Sequence, residues 1–211
     1  MRISGGKARG IPLRVPKKSG VRPAIETMRE RLFSSLFQDI KSASVLDLFA
    51  GSGAYGLEAL SRGASHSTFV EKNRLVFGEL KTNLGAVLKS ADIIGEAGIL
   101  INRDVLQFLH NPPQYPYDLI FIDPPYAEIE NLCPKIFHLL HANRFLSTKG
   151  LVILETPGEL LMEFPNWKVE RLVGKEKRGS PVHRIYSSPH PRPDHRSAEP
   201  ARARLPRGRL G

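Results

Sequence analysis

The chain of 211 residues contains one cysteine, Cys133. A single thiol closes no disulfide within the chain, so nothing in the composition asks for an oxidising compartment. The seven histidines and this cysteine supply no set with the spacing of a zinc site, and no metal is expected. A membrane-spanning helix needs about 18 consecutive apolar residues, and no such run occurs. Arg2 and Lys7 are not followed by the apolar stretch of a secretory signal. No internal repeat is visible. These absences lead to the expectation of a cytoplasmic protein with no membrane association. A hydrophobic fraction of 41% is enough for a substantial core.

Acidic residues are scarce at both ends. Residues 1–41 hold ten Lys and Arg against three acids, and residues 187–211 hold six against two. Between them, residues 42–186 carry fifteen against sixteen and are near neutral. A neutral middle with basic ends suits a small-molecule site flanked by segments that meet a polyanion. The candidate phosphate-gripping residues are Lys7, Arg9, Arg14, Lys17, Lys18 and Arg22. The expected division is a basic N-terminal extension at 1–41, one domain at 42–187, and a tail at 188–211. The tail is rich in Pro and Arg and poor in large apolar residues, so it is expected to be disordered.

Periodicity and punctuation predict the elements. Residues 1–15 suggest short strands around Gly5-Gly6 and Gly10, forming a small hairpin. Pro23 opens a helix over 24–39, with Ile25, Met28, Leu32, Leu36 and Ile40 on one stripe. Strands at 44–49, 66–71, 98–102, 117–122 and 149–155 then alternate with helices at 54–62, 73–89, 104–110 and 129–141. This alternation implies an α/β fold with a parallel sheet and right-handed crossovers. Residues 167–174 and 182–187 read as a closing antiparallel pair.

Two motifs carry the chemistry. Tyr117 to Tyr126 is an apolar strand ending in Asp123-Pro124-Pro125-Tyr126. Two prolines cannot continue a ladder, and they hold the backbone extended. The Asp123 carboxylate and Pro124 carbonyl can then act as acceptors beside the Tyr126 ring, a setting for a planar amine. A plain strand-terminating turn would use the same residue types. Upstream, Val45-Leu-Asp47-Leu-Phe49-Ala-Gly51-Ser-Gly53-Ala-Tyr-Gly56 runs from a strand through a glycine turn into a helix. Glu71 stands twenty residues after Gly51, at the end of the next strand. The literal glycine pattern suits a dinucleotide. Asp47, however, would repel a pyrophosphate and suits a ligand with an ammonium, such as S-adenosylmethionine. Glu71 can accept from ribose hydroxyls. Asp104, next to Val105, falls where an adenine amino group would be met, and it is also a fitting helix N-cap.

These residues resemble the class I methyltransferase pattern and, more narrowly, the RsmD family of small-subunit rRNA guanine-N2 methyltransferases. The resemblance runs from Arg2 to about Tyr186. It includes Arg2-Ile-Ser-Gly-Gly-Lys-Ala-Arg-Gly, the block Arg22-Pro23 through Arg29-Glu30-Arg-Leu-Phe33, the run Asp47 to Gly56, and Asp123 to Tyr126. Ala24 replaces the usual Thr, and Tyr55 stands where an aliphatic residue is common. The resemblance implies a Rossmann-like, mostly parallel seven-stranded sheet with helices on both faces. It also implies S-adenosylmethionine as cofactor, held by Asp47, Phe49, Gly51, Gly53, Glu71, Asp104 and Val105. Asp123, Pro124 and Tyr126 would form the catalytic set. The implied partner is 16S rRNA within partly assembled small subunits, and the protein would act as a monomer. Three readings compete with this: a DNA-adenine or protein-glutamine methyltransferase, a noncatalytic ribosome-assembly factor, and a dinucleotide oxidoreductase.

Overall fold

The computed structural model describes residues 1–15 and 23–188. Six helices lie among them: α1 Pro23–Ser35, α2 Phe37–Ile40, α3 Ala54–Ser61, α4 Arg74–Ala91, α5 Val105–Leu109 and α6 Ile129–Ala142. The strands are β1 Ser44–Leu48, β2 His66–Val70, β3 Gly98–Ile101, β4 Tyr117–Ile122, β5 Leu146–Pro157, β6 Lys168–Gly174 and β7 Pro181–Ser187. They form one seven-stranded sheet in the order β3-β2-β1-β4-β5-β7-β6. Strands β1 to β5 are parallel to one another, while β7 runs antiparallel between β5 and β6. The strand order reverses between β1 and β4, where an open α/β sheet places its ligand crevice.

Alternation along the strands builds the two faces. In β4, Ile120 and Ile122 join a core with Leu46, Leu48, Val105, Ile136 and Phe137, under α5 and α6. Leu119 and Phe121 turn to the opposite face and pack with Val45, Leu32, Phe33, Leu36 and Ile40 of the N-terminal helices. Both faces of a parallel sheet must be covered, which is why β1, β2 and β4 are buried along most of their length.

The predicted N-terminal hairpin is present in short form: Arg2 bridges Pro12 antiparallel, Ile3 N–H donates to the Ile11 carbonyl at 2.9 Å and Leu13 N–H to the Met1 carbonyl at 2.9 Å. Two expectations need correcting. The predicted helix over 24–39 is broken at Leu36 into α1 and α2. Strand β5 begins at Leu146 rather than 149: Leu146 pairs with Tyr117, and a bulge precedes the resumed pairing at Leu119 and Leu151.

Residues 1–15 do not stand away from the domain. Ile3, Ala8 and Leu13 are buried with Leu57, Leu60, Leu80 and Val87 of α3 and α4. Backbone bonds fasten the segment: Lys7 N–H donates to the Ser61 carbonyl at 2.8 Å, and Arg14 N–H donates to Asn83 Oδ1 at 2.8 Å. Asn83 returns two bonds, to the Arg14 and Ser52 carbonyls. The deepest tie is Glu58, fully buried on α3. Its carboxylate accepts from Ser4 N–H at 2.8 Å, Ser4 Oγ at 2.7 Å and Arg62 Nε at 2.8 Å. Buried Arg29 of α1 lies 3.5 Å away, so the first residues, α1 and α3 meet on one charge.

Candidate active site

A cavity of about 850 Å³ opens at the carboxyl ends of β1, β2, β4 and β5. Phe49, Val70, Glu71 and Val105 form one part of its wall, and Asp123, Pro124, Tyr126 and Glu155 another. Among the expected residues, it gathers Phe49, Glu71, Val105, Asp123, Pro124 and Tyr126. Asp47, Gly51, Gly53 and Asp104 do not line it.

The glycine turn is built for close packing. Gly51 has φ 55° and Gly53 φ 84°, the left-handed region that favours glycine. A Cβ on Gly53 would lie 2.5 Å from Leu80 Cδ1, and one on Gly56 would lie 2.3 Å from Phe69 Cε1. Both glycines therefore seat α3 tightly against α4 and β2. At Gly51 the nearest atom to such a Cβ is 3.8 Å away, so the turn is open on that side. Phe49 also holds a positive φ, 61°, an uncommon conformation for a bulky residue, and its ring lines the cavity.

Asp47 needs a different role from direct ligand contact. Alternation in β1 turns it towards α3, where it is 1% exposed and its Oδ2 accepts from Gly56 N–H at 2.9 Å. It braces the glycine turn from below. Burial pushes its carboxyl from 3.8 up to about 7; the Gly56 bond opposes this and the Glu71 charge adds to it. The folded pKa is raised, so the neutral form favours folding. That stability is full below about pH 4 and is lost as pH rises towards about 7. A three-unit shift corresponds to on the order of 4 kcal/mol. Asp47→Asn should remove this slope, as read by the difference between wild-type and variant urea unfolding across that pH window. Parallel curves for the two proteins would show that Asp47 does not titrate there.

Glu71 lines the cavity while its oxygens accept from Gly51 N–H at 3.0 Å and Asn73 N–H at 2.7 Å. It fixes the turn and the start of α4 in one step. Asp104 is the N-cap of α5, its Oδ1 accepting from Leu106 and Gln107 N–H.

At the end of β4, Ile122 pairs with Leu154, so the next residue on each strand is an acid, Asp123 and Glu155. Pro125 is extended at φ −53°, ψ 131°, and a 3-10 turn, Tyr126–Glu128, follows it. Tyr126 is half exposed, and its hydroxyl donates to Glu155 Oε1 at 3.0 Å. Asp123 accepts no hydrogen bond among the described residues. Burial, then the charges of Glu155 and Asp47, push its carboxyl well above the usual range. Burial opposes ionisation of Glu155 as well, but His183, Tyr55 and Tyr126 outweigh it and hold that carboxyl below its ordinary value. The ionised carboxylate of the pair is therefore Glu155.

Sequence reasoning missed Glu155, His183 and the role of Tyr55. The antiparallel register sets Glu155 directly opposite His183, 3.1 Å between Oε2 and Nε2. Tyr55 donates to the same Oε2 at 2.5 Å, lies 2.9 Å from His183 Nε2, and stacks on Phe121 at 5.2 Å. Its hydroxyl is the gain from having an aromatic where an aliphatic residue is common. The one available signal was an acid closing the apolar run Leu151 to Leu154.

Of the basic candidates, Lys7, Arg9 and Arg14 are exposed, and Arg14 lies 3.9 Å from Glu79. Lys17, Lys18 and Arg22 lie outside the described residues. Among the described residues, no His, Cys, Asp and Glu cluster is arranged to hold a metal ion, and no helix is long and apolar enough to cross a membrane.

Comparison with known proteins decides the family. The family described as Conserved hypothetical protein 95 matches residues 1–187. Ribosomal RNA small subunit methyltransferase D of Escherichia coli K12 is 38% identical over 188 residues, covering 88% of this chain and 89% of that protein. The chain belongs to the RsmD family. The solved structure of a putative methyltransferase from Escherichia coli, yhhF, superposes with a TM-score of 0.75 at 36% identity, covering 89% of this chain and 97% of that one. A putative methyltransferase, SMU.776, complexed with SAH, is 17% identical with a TM-score of 0.58 and shares the fold. In RsmD family terms, the sheet described here is that of a class I S-adenosylmethionine-dependent methyltransferase, and the expected fold class and enzyme class stand.

Proposed function

We propose that the protein methylates the exocyclic N2 amine of a guanine in 16S rRNA, using S-adenosylmethionine, within partly assembled small subunits in the cytoplasm. The observation that carries this reading is the juxtaposition, around one cavity, of a glycine-turn half and an Asp-Pro-Pro-Tyr half. The relatives' name, ribosomal RNA small subunit methyltransferase D, supports the RNA substrate.

The residues present fit the cofactor. Phe49, Val70 and Val105 offer apolar walls for a purine, and Glu71 offers a carboxylate for ribose hydroxyls. The open side of Gly51 leaves room for the amino-acid end. Asp47 and Gly53 act one layer below, by holding the turn, and Asp104 by holding α5 and Val105. When bound, S-adenosylmethionine supplies the activated methyl group.

The chain's own part is to present the amine. Asp123 and the Pro124 carbonyl accept its hydrogens, so the nitrogen lone pair leaves the ring plane and turns towards the methyl group. Orientation of this kind can remove roughly 7–11 kcal/mol of barrier. Tyr126 stacks on the unstacked base, which enzymes of this type withdraw from its neighbours at a cost of a few kcal/mol. Glu155 fixes the Tyr126 hydroxyl and so sets the plane of that ring. Only the ionised form of Asp123 can take the proton the amine gives up, and its raised pKa makes that form the stronger base while reserving it for higher pH. Lys7, Arg9, Arg14, Lys17, Lys18 and Arg22 contact phosphates, and the protein acts as a monomer.

Labelled S-adenosylmethionine with partly assembled small subunits, followed by mapping of the modified nucleotide, tests the reading. The expected product is one N2-methylguanine in the 16S strand. Label found only on adenine-N6 in DNA, or on a protein glutamine, would overturn it.

A further inference from the structure

A second basic element lies on the rim of the same cavity. Strands β6 and β7 are joined by Lys175-Glu176-Lys177-Arg178-Gly179-Ser180, and Gly179 and Ser180 line the cavity that holds Asp123 and Tyr126. The loop is anchored there through its backbone. Gly158 N–H donates to the Ser180 carbonyl at 2.7 Å, and Gly179 N–H donates to Glu159 Oε2 at 3.1 Å. Within the loop, Lys177 N–H donates to the Lys175 carbonyl at 2.7 Å, and Ser180 N–H to the Lys177 carbonyl at 3.0 Å. A Cβ on Gly158 would fall 2.6 Å from the Lys177 carbonyl oxygen, so the loop lies directly on the end of β5.

Its charge is left open to solvent. The loop's one acid, Glu176, is taken by Arg184 of β7 at 2.9 Å. Lys175, Lys177 and Arg178 are all exposed, and none forms an ion pair among the described residues. A backbone-anchored loop carrying three cations without ion pairs among the described residues, at the mouth of a cavity of about 850 Å³, has the chemistry to meet phosphates. Seated beside Tyr126, it would hold the backbone flanking a base turned into the pocket, as phosphate contacts position while base contacts specify.

We propose that Lys175, Lys177 and Arg178 form an RNA-phosphate clamp at the catalytic mouth, distinct from the basic N-terminal segment. This rests on the reading of the pocket as the site of an rRNA base. The clamp sets where the strand enters, while the N-terminal cations add affinity further along it.

The test is the full-length triple variant Lys175→Gln, Lys177→Gln, Arg178→Gln, compared with wild type and with Lys7→Gln, Arg9→Gln. The loop's anchoring bonds use backbone atoms and the Glu159 carboxylate, so the substitutions leave them in place. Small-subunit RNA binding is measured over a salt series, S-adenosylmethionine affinity by calorimetry, and methylation by KM and kcat. Each lost phosphate contact lowers the salt slope by roughly 0.7 on single strands, so the triple variant should lose about 2 units of slope and bind about 100-fold more weakly near 0.1 M salt. Cofactor affinity should match wild type, and the loss should fall on KM for RNA rather than on kcat. A wild-type salt slope and KM in the triple variant, with wild-type enzyme methylating the RNA normally, would overturn the clamp while leaving the function intact. Wild-type enzyme that binds S-adenosylmethionine but modifies no small-subunit RNA would overturn the function and the clamp together.

Discussion

Asp123→Ala should cut methyl transfer by about 10²–10³-fold, the loss expected when one preorganised polar group facing the reacting centre is removed. S-adenosylmethionine affinity should stay within a few-fold if, as proposed, the Asp123 carboxylate serves the target amine. Asp123→Asn keeps one carbonyl acceptor and should retain part of the rate. The pH dependence separates the two roles of this group. Its carboxyl is pushed up by burial and by its acidic neighbours. The accepting, ionised form therefore grows as pH rises, and wild-type kcat/KM should climb with pH and level off above the raised pKa. The Asn variant should show a flat profile across the same range. Stopped-time assays with saturating cofactor over a pH series read both quantities. A climb that survives in the Asn variant would assign the titration to another group and remove Asp123 from the proton's path. Tyr126→Phe loses its bond to Glu155 but keeps the ring, so its rate should fall between wild type and Tyr126→Ala.

The sites of these effects were unequally legible. The ends of β1, β2 and β4 could be read because each finishes on apolar residues, Leu48-Phe49, Phe69-Val70 and Phe121-Ile122, and then meets a polar residue or a turn. Glu71 and Asp123 marked two of those ends, and Asp47 stands just inside the third. What could not be read was the direction each acid faces. Asp47 is a strand residue with a fixed face, and strand alternation turns it under the glycine turn rather than into the crevice. Glu155 became visible only through pairing, since its partners Tyr55 and His183 are 100 and 28 residues away along the chain. No local period reports an antiparallel register between β5 and β7. The charge distribution misled in one respect. Counting over the long segment 42–186 put the neutral stretch at the catalytic domain, and the average hid three closely spaced cations on the β6–β7 loop.

Glu58 shows the same limit on the stability side, and it carries the largest expected effect on folding. Within Ala54-Tyr-Gly-Leu-Glu58-Ala-Leu-Ser61 it is the single charge in a helix buried from Tyr55 through Ser61. A helix that is apolar all round is buried, so its one acid had to find partners inside. Those partners come from two of the segments by which the sequence resembles its family: Ser4 of the opening run and Arg29 of α1. Arg62 completes the set from one turn along and lies over the Phe33 ring at 5.4 Å. Removing the carboxylate takes away the charge partner of the Arg29 guanidinium, which is 2% exposed, whose Nη2 donates to the Arg2 carbonyl and whose Nε and Nη1 have no hydrogen-bond partner. Breaking a buried pair from one side costs about 3–5 kcal/mol. For a domain of this size, each kcal/mol lowers Tm by roughly 2–4 °C. Glu58→Ala should therefore lower Tm by roughly 6–20 °C, the product of those two ranges. Glu58→Gln, which keeps an acceptor for Ser4 N–H but not the charge, should fall between. The Ser4 amide should also lose hydrogen-exchange protection ahead of β1 and β4, because it is the link that seats residues 1–15 on α3. A Glu58→Ala protein that unfolds within about 1 kcal/mol of wild type would mean that Arg29 finds water or another acceptor, and that the packing of Ile3, Ala8 and Leu13 holds the N-terminal segment without the charge.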